Sequence, residues 1–367
     1  MTGRGDGSDA PRPDGTPRPV GRGTGAAPAN RFGERGTELD PDAFEPGDLR
    51  PGTTVQPDAA KSILSRNASP DVGFDVSLNP YRGCEHGCVY CYARPTHETL
   101  GLNAGIDFET RLFVKRNAAE LLRTALAHRS WRPETIALSS VTDPYQPLER
   151  RERVTRACLE VLAEHRQPVA VVTKNHLVLR DLDLLQELAR HGAVSVALSV
   201  TTLDDELRAS MEPRTSSPER RLDAVRRLSE AGVPAGVFVA PVIPGLTDAE
   251  TPAILEAAAD AGASFASTVL LRLPLAVEPV FVDWLGTRDP ARARRVIARV
   301  REARDGEMND ATFGRRMRGG GAYVEQHRSL FRLTRRRLGL GSPPSLSGQA
   351  FRVPGRAEQP RLFGPEG

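Results

Sequence analysis

The chain has 367 residues, enough for one large or two ordinary domains, and its 50 basic and 47 acidic residues nearly cancel. Such a balance singles out no charged partner, and the basic charge is almost all arginine, with lysine only at Lys61, Lys115 and Lys174. No apolar run is long enough to span a bilayer and no signal-peptide core is read; clustered thiols with one lone cysteine make a reducing cytoplasm the expected compartment.

Residues 1–58 are rich in Gly, Pro, Arg, Asp and Thr and poor in large apolar residues. They cannot bury enough surface to offset the entropy of ordering, which predicts a disordered tail. Within it Gly33–Asp48 is mildly acidic, a solvated or docking segment. A core domain is expected over 59–285. Phe74–Leu78 reads as a strand running into a cysteine-bearing loop, and a helix follows near Arg94–Leu100. Asn117–His128 is predicted as a helix with Leu121, Leu122, Ala125 and Leu126 on one face and Asn117 as cap.

Apolar runs at Thr135–Ser139, Val169–Thr173, Val194–Val200, Ala235–Ala240 and Ser267–Leu273 read as strands. The helices between them are expected at Arg151–Glu164, Asp181–Arg190, Asp204–Ser210, Pro218–Ala231 and Asp248–Ala261, with Ser217 capping the fourth. A helical, basic extension is expected over 286–341, and a Pro/Gly/Ser-rich disordered tail over 342–367. Alternating strands and helices build a parallel α/β sheet with right-handed crossovers. Six strands are too few for a closed eight-stranded barrel, and chemistry in such folds sits at the carboxyl ends of the strands.

After the first strand comes Tyr81-Arg82-Gly83-Cys84-Glu85-His86-Gly87-Cys88-Val89-Tyr90-Cys91-Tyr92, which holds three of the four cysteines in a C-x3-C-x2-C spacing. Clustered thiolates are ligands for a soft metal centre. An odd trio cannot pair into disulfides, and Cys158, alone in a helical pattern with Val154, Leu159 and Leu162, reads as a core residue. Iron–sulfur cubanes and structural zinc both normally take four ligands. The trio therefore holds either a cubane with one open iron or a zinc knuckle completed by His86.

This spacing, with Tyr90 just before the last cysteine, resembles the signature of the radical SAM superfamily. The resemblance implies a partial (β/α)6 barrel in which Cys84, Cys88 and Cys91 hold a [4Fe–4S] cluster. The open iron would chelate the amino and carboxylate groups of S-adenosylmethionine, whose reductive cleavage yields a 5′-deoxyadenosyl radical. A one-electron donor such as flavodoxin or ferredoxin is implied with it. Ser140, Thr142 and Asp143 follow the second strand, where the family carries a short motif, commonly Gly-Gly-Glu, for the cofactor's amino group. By the same resemblance Lys174, after the third strand, would reach the cofactor carboxylate. Ser199, at the end of the fourth, would face its ribose or carboxylate. Pro241-Val242-Ile243-Pro244-Gly245-Leu246-Thr247-Asp248 resembles the family's adenine-contact pattern, placing Ile243 and Tyr90 on adenine. Asp248 also fits as a helix cap. Arg214 could clamp a carboxylate or pair with Glu212 at the surface.

Asn79–Cys84, Thr142–Pro147 and Glu212–Glu219 together resemble the spore photoproduct lyase-like branch. Members of that branch that act as lyases carry a hydrogen-donating cysteine beside the second strand; Ser140 stands there, and Tyr145 is the other plausible donor in that loop. Ala311–Arg337 holds eight arginines and one acid, Glu325. That is the footprint of a nucleic-acid substrate or of a solvated basic helix. The competing reading from another class is a non-catalytic zinc or iron–sulfur protein that binds nucleic acid.

Overall fold

Short runs dense in Val, Ala, Leu and Ile, without polar alternation, suit strands covered on both faces. The computed structural model describes residues 21–32, 52–138 and 140–355. Its strands are β1 (Thr54–Pro57), β2 (Leu64–Arg66), β3 (Val76–Leu78), β4 (Tyr81–Arg82), β5 (Arg111–Val114), β6 (Ile136–Leu138), β7 (Val169–Thr173), β8 (Val194–Ser199), β9 (Ala235–Val242) and β10 (Phe265–Leu270). Seven of them form one sheet in the order β2-β3-β6-β7-β8-β9-β10, parallel throughout except for β2, which runs antiparallel to β3. The six parallel strands are the six expected, the last starting two residues early. The end strands β2 and β10 do not pair with each other, so the sheet is an open, partial barrel.

Helices Ala118–Ala127, Val154–His165, Leu182–Ala189, Pro218–Glu230 and Thr251–Asp260 fill the crossovers. Ser217 caps the fourth by accepting from the Arg220 amide, with Pro218 in the first turn. Asn117 does not cap its helix; its amide reaches the Ala60 carbonyl at 3.4 Å instead. Cys158 is fully buried among core residues, as expected. Burial pushes its thiol up to about 12.

The terminal regions differ from expectation wherever they are described. Residues 21–32 lie on the domain: Gly23 donates to Glu109 at 2.9 Å, the Ala26 carbonyl accepts from Ile106 at 3.0 Å, and Arg31 pairs with Glu98 at 2.7 Å. β1 extends the small sheet β1-β5-β4. Small, polar residues order here through backbone and ionic contacts to the folded domain, which composition does not register. Residues 342–355 follow suit, with Ser347 donating to the Gly192 carbonyl and Arg352 to that of His165, both at 2.9 Å. Gly33–Asp48 and residues 356–367 lie outside the described residues. Helix Val277–Arg288 crosses the expected boundary at 285, and helix Ala322–Arg337 buries Val324 and Phe331 in the main core, so the basic extension is continuous with it. Among the described residues no helix is long and apolar enough to cross a membrane.

Candidate active site

β3 ends at Leu78, and the cysteine loop leaves its carboxyl end. Gly83 (φ 77°) and Gly87 (φ 66°) take the left-handed turns that side chains resist. A Cβ on Gly83 would also lie 2.6 Å from Leu112 Cδ2 and 2.9 Å from the Phe108 carbonyl oxygen. Arg94, wholly buried, pins the loop from beneath by donating to the carbonyls of Cys88 (3.0 Å), Gly87 (3.2 Å) and Gly105 (2.9 Å) and to Glu109 (2.6 Å). Gln146 bridges the loop from the β6 side, donating to the Gly83 carbonyl at 3.1 Å and accepting from the Glu85 amide at 2.9 Å. Gly23 closes it from the amino-terminal arm; a Cβ there would sit 1.6 Å from the Gly87 oxygen.

All cysteines are free thiols; Cys84 and Cys88 are buried and Cys91 half-buried. Burial raises each of the three above its ordinary value, so the loop would hold thiolates only against a positive partner such as iron. Among the described residues no three Cys, His, Asp or Glu side chains converge around a single ion. His86 does not turn toward the thiols. Its Nε2 accepts from the Asn175 amide at 3.2 Å, and its Nδ1 lies 3.4 Å from Asp143 Oδ2, which assigns the proton to Nδ1. The zinc knuckle therefore loses its fourth ligand. Three thiols with no fourth protein ligand match a cubane with one open iron.

Asp143 ties the loop to the strand ends, accepting from Thr173 Oγ1 at 2.7 Å and from the Lys174 amide at 2.8 Å. Burial would raise its carboxyl, but His86 and these donors outweigh that and hold it below the usual range. Thr142 donates to the Tyr81 carbonyl at 3.2 Å.

At the mouth, Lys174 Nζ donates to Ser199 Oγ (2.8 Å), Thr201 Oγ1 (3.1 Å) and the Ala240 carbonyl (3.1 Å), lies 3.2 Å from Glu212 Oε1, and stands 5.6 Å from the Tyr90 ring centre. Burial first, then Arg221, lowers its ammonium to about 7. Glu212, fully buried, is the hub: it also accepts from the Tyr90 hydroxyl, from Thr201 at 2.7 Å and from the buried Arg221 guanidinium. Sequence reasoning placed Glu212 at the surface and missed Arg221. The surface pair with Arg214 does not form; Arg214 bonds Glu85 at 3.0 Å instead. The missed signal was the run from Glu212 to Arg221, whose turn brings a buried acid back onto the helix it precedes.

Ile243 and Tyr90, the two residues expected on adenine, are both buried in one apolar cluster that also holds Val89, Leu271 and Leu273. Asp248 is not the cap of its helix, where Thr247 stands, and it accepts from the Tyr323 hydroxyl at 2.5 Å. Ser140 accepts from Asn79 at 2.9 Å, and its carbonyl accepts from the Tyr92 hydroxyl at 2.5 Å. Tyr92 is 51% exposed, whereas Tyr145 is sealed beneath Arg180. Tyr92, not Tyr145, is thus the accessible phenol beside Ser140.

With that geometry in place, residues 78–258 match the Radical SAM superfamily. An uncharacterized protein of Mycobacterium tuberculosis is 39% identical over 255 residues, covering 68% of this chain and 74% of that protein. The chain belongs to the radical SAM superfamily. It therefore belongs to an enzyme class that uses a [4Fe–4S] cluster and S-adenosylmethionine. An uncharacterized protein of Methanocaldococcus jannaschii is 34% identical, covering 48% of this chain and 64% of its own length. A "Radical SAM Nalpha-GlyT isomerase" of Pseudomonas phage M6 is 25% identical, covering 49% of this chain and 35% of its own. Among solved structures, spore photoproduct lyase complexed with dinucleoside spore photoproduct superposes with a TM-score of 0.56 at 16% identity, covering 78% of this chain and 80% of that one. This radical SAM chain thus shares the lyase fold.

Proposed function

We propose that the chain is a radical SAM enzyme in which Cys84, Cys88 and Cys91 hold the cluster. Tyr90, Ser140, Lys174, Ser199 and Ile243 would line the S-adenosylmethionine site. The observation that carries the proposal is the juxtaposition of three free thiols on a glycine-turned loop with the buried Lys174–Glu212–Arg221 network at one end of an open parallel barrel. When bound, the cluster supplies the electron that converts S-adenosylmethionine to a hydrogen-abstracting 5′-deoxyadenosyl radical. Lys174 offers an ammonium to the cofactor carboxylate, oriented by Ser199, Thr201 and Glu212. Tyr90 and Ile243 form the apolar wall for adenine. Arg94 and Gln146 hold the cysteine loop still.

A nucleic-acid component is the proposed substrate class, by analogy with the lyase of shared fold that is complexed with a dinucleoside photoproduct. Flavodoxin or ferredoxin is the proposed electron donor. Clean conversion of spore photoproduct to thymines is not expected. That repair returns a hydrogen atom to the product radical, and the Ser140 hydroxyl holds its hydrogen far more strongly than a thiol would. The test is 5′-deoxyadenosine formation by the anaerobically reconstituted protein with dithionite. A colourless one-zinc protein that releases none would overturn the proposal.

A further inference from the structure

Two loops meet on the surface, residues 69–71 between β2 and β3 and residues 313–318 ahead of helix Ala322–Arg337. Gly314 donates to Asp71 Oδ1 at 2.6 Å and Arg316 Nε to Asp71 Oδ2 at 2.5 Å, while Arg316 also bonds Ser69. Between these loops runs a groove of about 320 Å³ lined by Pro70, Asp71, Phe313, Gly314, Met317 and Arg318.

Behind Met317 lies Arg272, two residues beyond β10, at the same end of the sheet as the cysteine loop. Leu271 and Leu273 on either side of it are buried with Tyr90 and Ile243. The Arg272 guanidinium has no carboxylate or carbonyl partner among the described residues. Its Nε is sealed from solvent with no acceptor, and one terminal nitrogen meets only the Met317 sulfur at 3.2 Å. A thioether is a weak acceptor. The neighbouring guanidiniums are already committed. Arg316 is held by Asp71 and Ser69, and Arg304 donates to the carbonyls of Leu271 (2.6 Å), Arg316 (2.8 Å) and Arg315 (3.2 Å). Arg318 is exposed at the groove, its side chain without a partner among the described residues.

Positive charge is concentrated here, and Asp71, the carboxylate nearby, is already committed to Arg316 and the Gly314 amide. Burial, followed by repulsion from Arg316, lowers Arg272; burial, followed by repulsion from Arg272, lowers Arg304 to about 10. A half-buried guanidinium is costly to hold unless an anion completes its hydrogen bonds. A planar five-donor fork is the group best matched to an oxyanion.

We infer that Arg272, with Arg318 across Met317, binds an oxyanion, phosphate or carboxylate, carried by the substrate. The inference rests on the enzyme reading above: Arg272 follows β10 at the strand end that carries the cysteine loop, between Leu271 and Leu273, which share a buried cluster with Tyr90 and Ile243. Phe313, 59% exposed with Arg316 stacked 4.5 Å from its ring centre, supplies a flat apolar wall beside the oxyanion.

The test uses the full chain, reconstituted anaerobically and saturated with S-adenosylmethionine so that the cofactor site is filled. Inorganic phosphate and, separately, acetate are titrated by calorimetry at constant ionic strength set with chloride. At least one oxyanion should bind, and Arg272→Met should weaken it by roughly tenfold or more, the worth of one charge-assisted hydrogen bond. Arg318→Met should weaken it less. Preference for phosphate supports a phosphoryl group as the source, and preference for acetate a carboxylate. Without oxyanion, Arg272→Met should melt no lower than wild type, because an unsatisfied cation has been removed. If Arg272→Met folds poorly, Arg272→Lys, which keeps the charge but not the fork, should show the weakened binding. Failure of wild type to bind either oxyanion, equal binding by the variants, or a melting point several degrees below wild type would overturn the site. Oxyanion binding with no deoxyadenosine from wild type would leave the site standing and remove the enzyme reading.

Discussion

Glu212→Ala removes the one carboxylate that Lys174 and Arg221 share. Glu212 and Arg221 are 0% and 1% exposed at their side chains and Lys174 14%, so the two cations would be left in a dry setting facing each other. Removing one partner of a buried ion pair costs about 3–5 kcal/mol. The hydrogen bonds from Thr201 and Tyr90 add roughly 0.5–1.5 kcal/mol each when their acceptor is lost. Part of this is recovered because Lys174, already lowered to about 7 by burial and Arg221, can shed its proton. Taking about 3–5 kcal/mol as the net, and 2–4 °C per kcal/mol for a domain of this size, Tm should fall by roughly 6–20 °C. The assay is thermal unfolding of the cluster-free protein, so that cluster loss does not contribute. A double-mutant cycle with Arg221→Met separates the pair from the rest. Removing both charges should cost clearly less than the sum of the single changes, because neither partner is then stranded. A Glu212→Ala variant that melts within a degree or two of wild type, or strictly additive costs in the cycle, would refute this account of the network.

Cys84→Ala, Cys88→Ala and Cys91→Ala should each abolish the cluster, measured as iron and sulfide after anaerobic reconstitution; Cys158→Ala, a change inside the core, should leave both unchanged. Lys174→Ala should leave iron content intact and weaken S-adenosylmethionine binding by about one to two decades, the worth of one charged hydrogen bond, in an anaerobic titration. Gly23→Ala drives a methyl into the Gly87 carbonyl, so the arm should lift and the cluster should bleach faster in air by absorbance, with iron loading under argon unchanged. Supplied with dinucleotide photoproduct, dithionite and cofactor, the wild type should release 5′-deoxyadenosine without forming thymine by chromatography; efficient repair would instead make Tyr92 the donor, and Tyr92→Phe should then abolish it.

The six parallel strands and the cluster loop were legible in the sequence because their signals are local. An apolar run of β-branched residues marks a buried strand wherever it ends up, and three thiols within eight residues are close in any fold. Lys174, Ser199, Ile243 and Tyr90 were singled out through the family resemblance, each by its place after a strand or in a motif, and their part in a cofactor site is a proposal. Only the tertiary structure decided what those side chains touch. Composition alone read residues 21–32 as a disordered tail, but Gly23 and Ala26 order against Glu109 and Ile106, partners more than seventy positions away. Glu212 lies next to Pro213 and Arg214, and adjacency suggested a surface pair; the fold turned it inward to Arg221, Lys174 and Tyr90. Tyr145 and Tyr92 are both tyrosines beside motif residues, and sequence could not tell which is sealed and which faces Ser140. A strand's propensity resides in the few residues that form it, whereas the partner of a buried charge is set by which distant segments the closing sheet brings together.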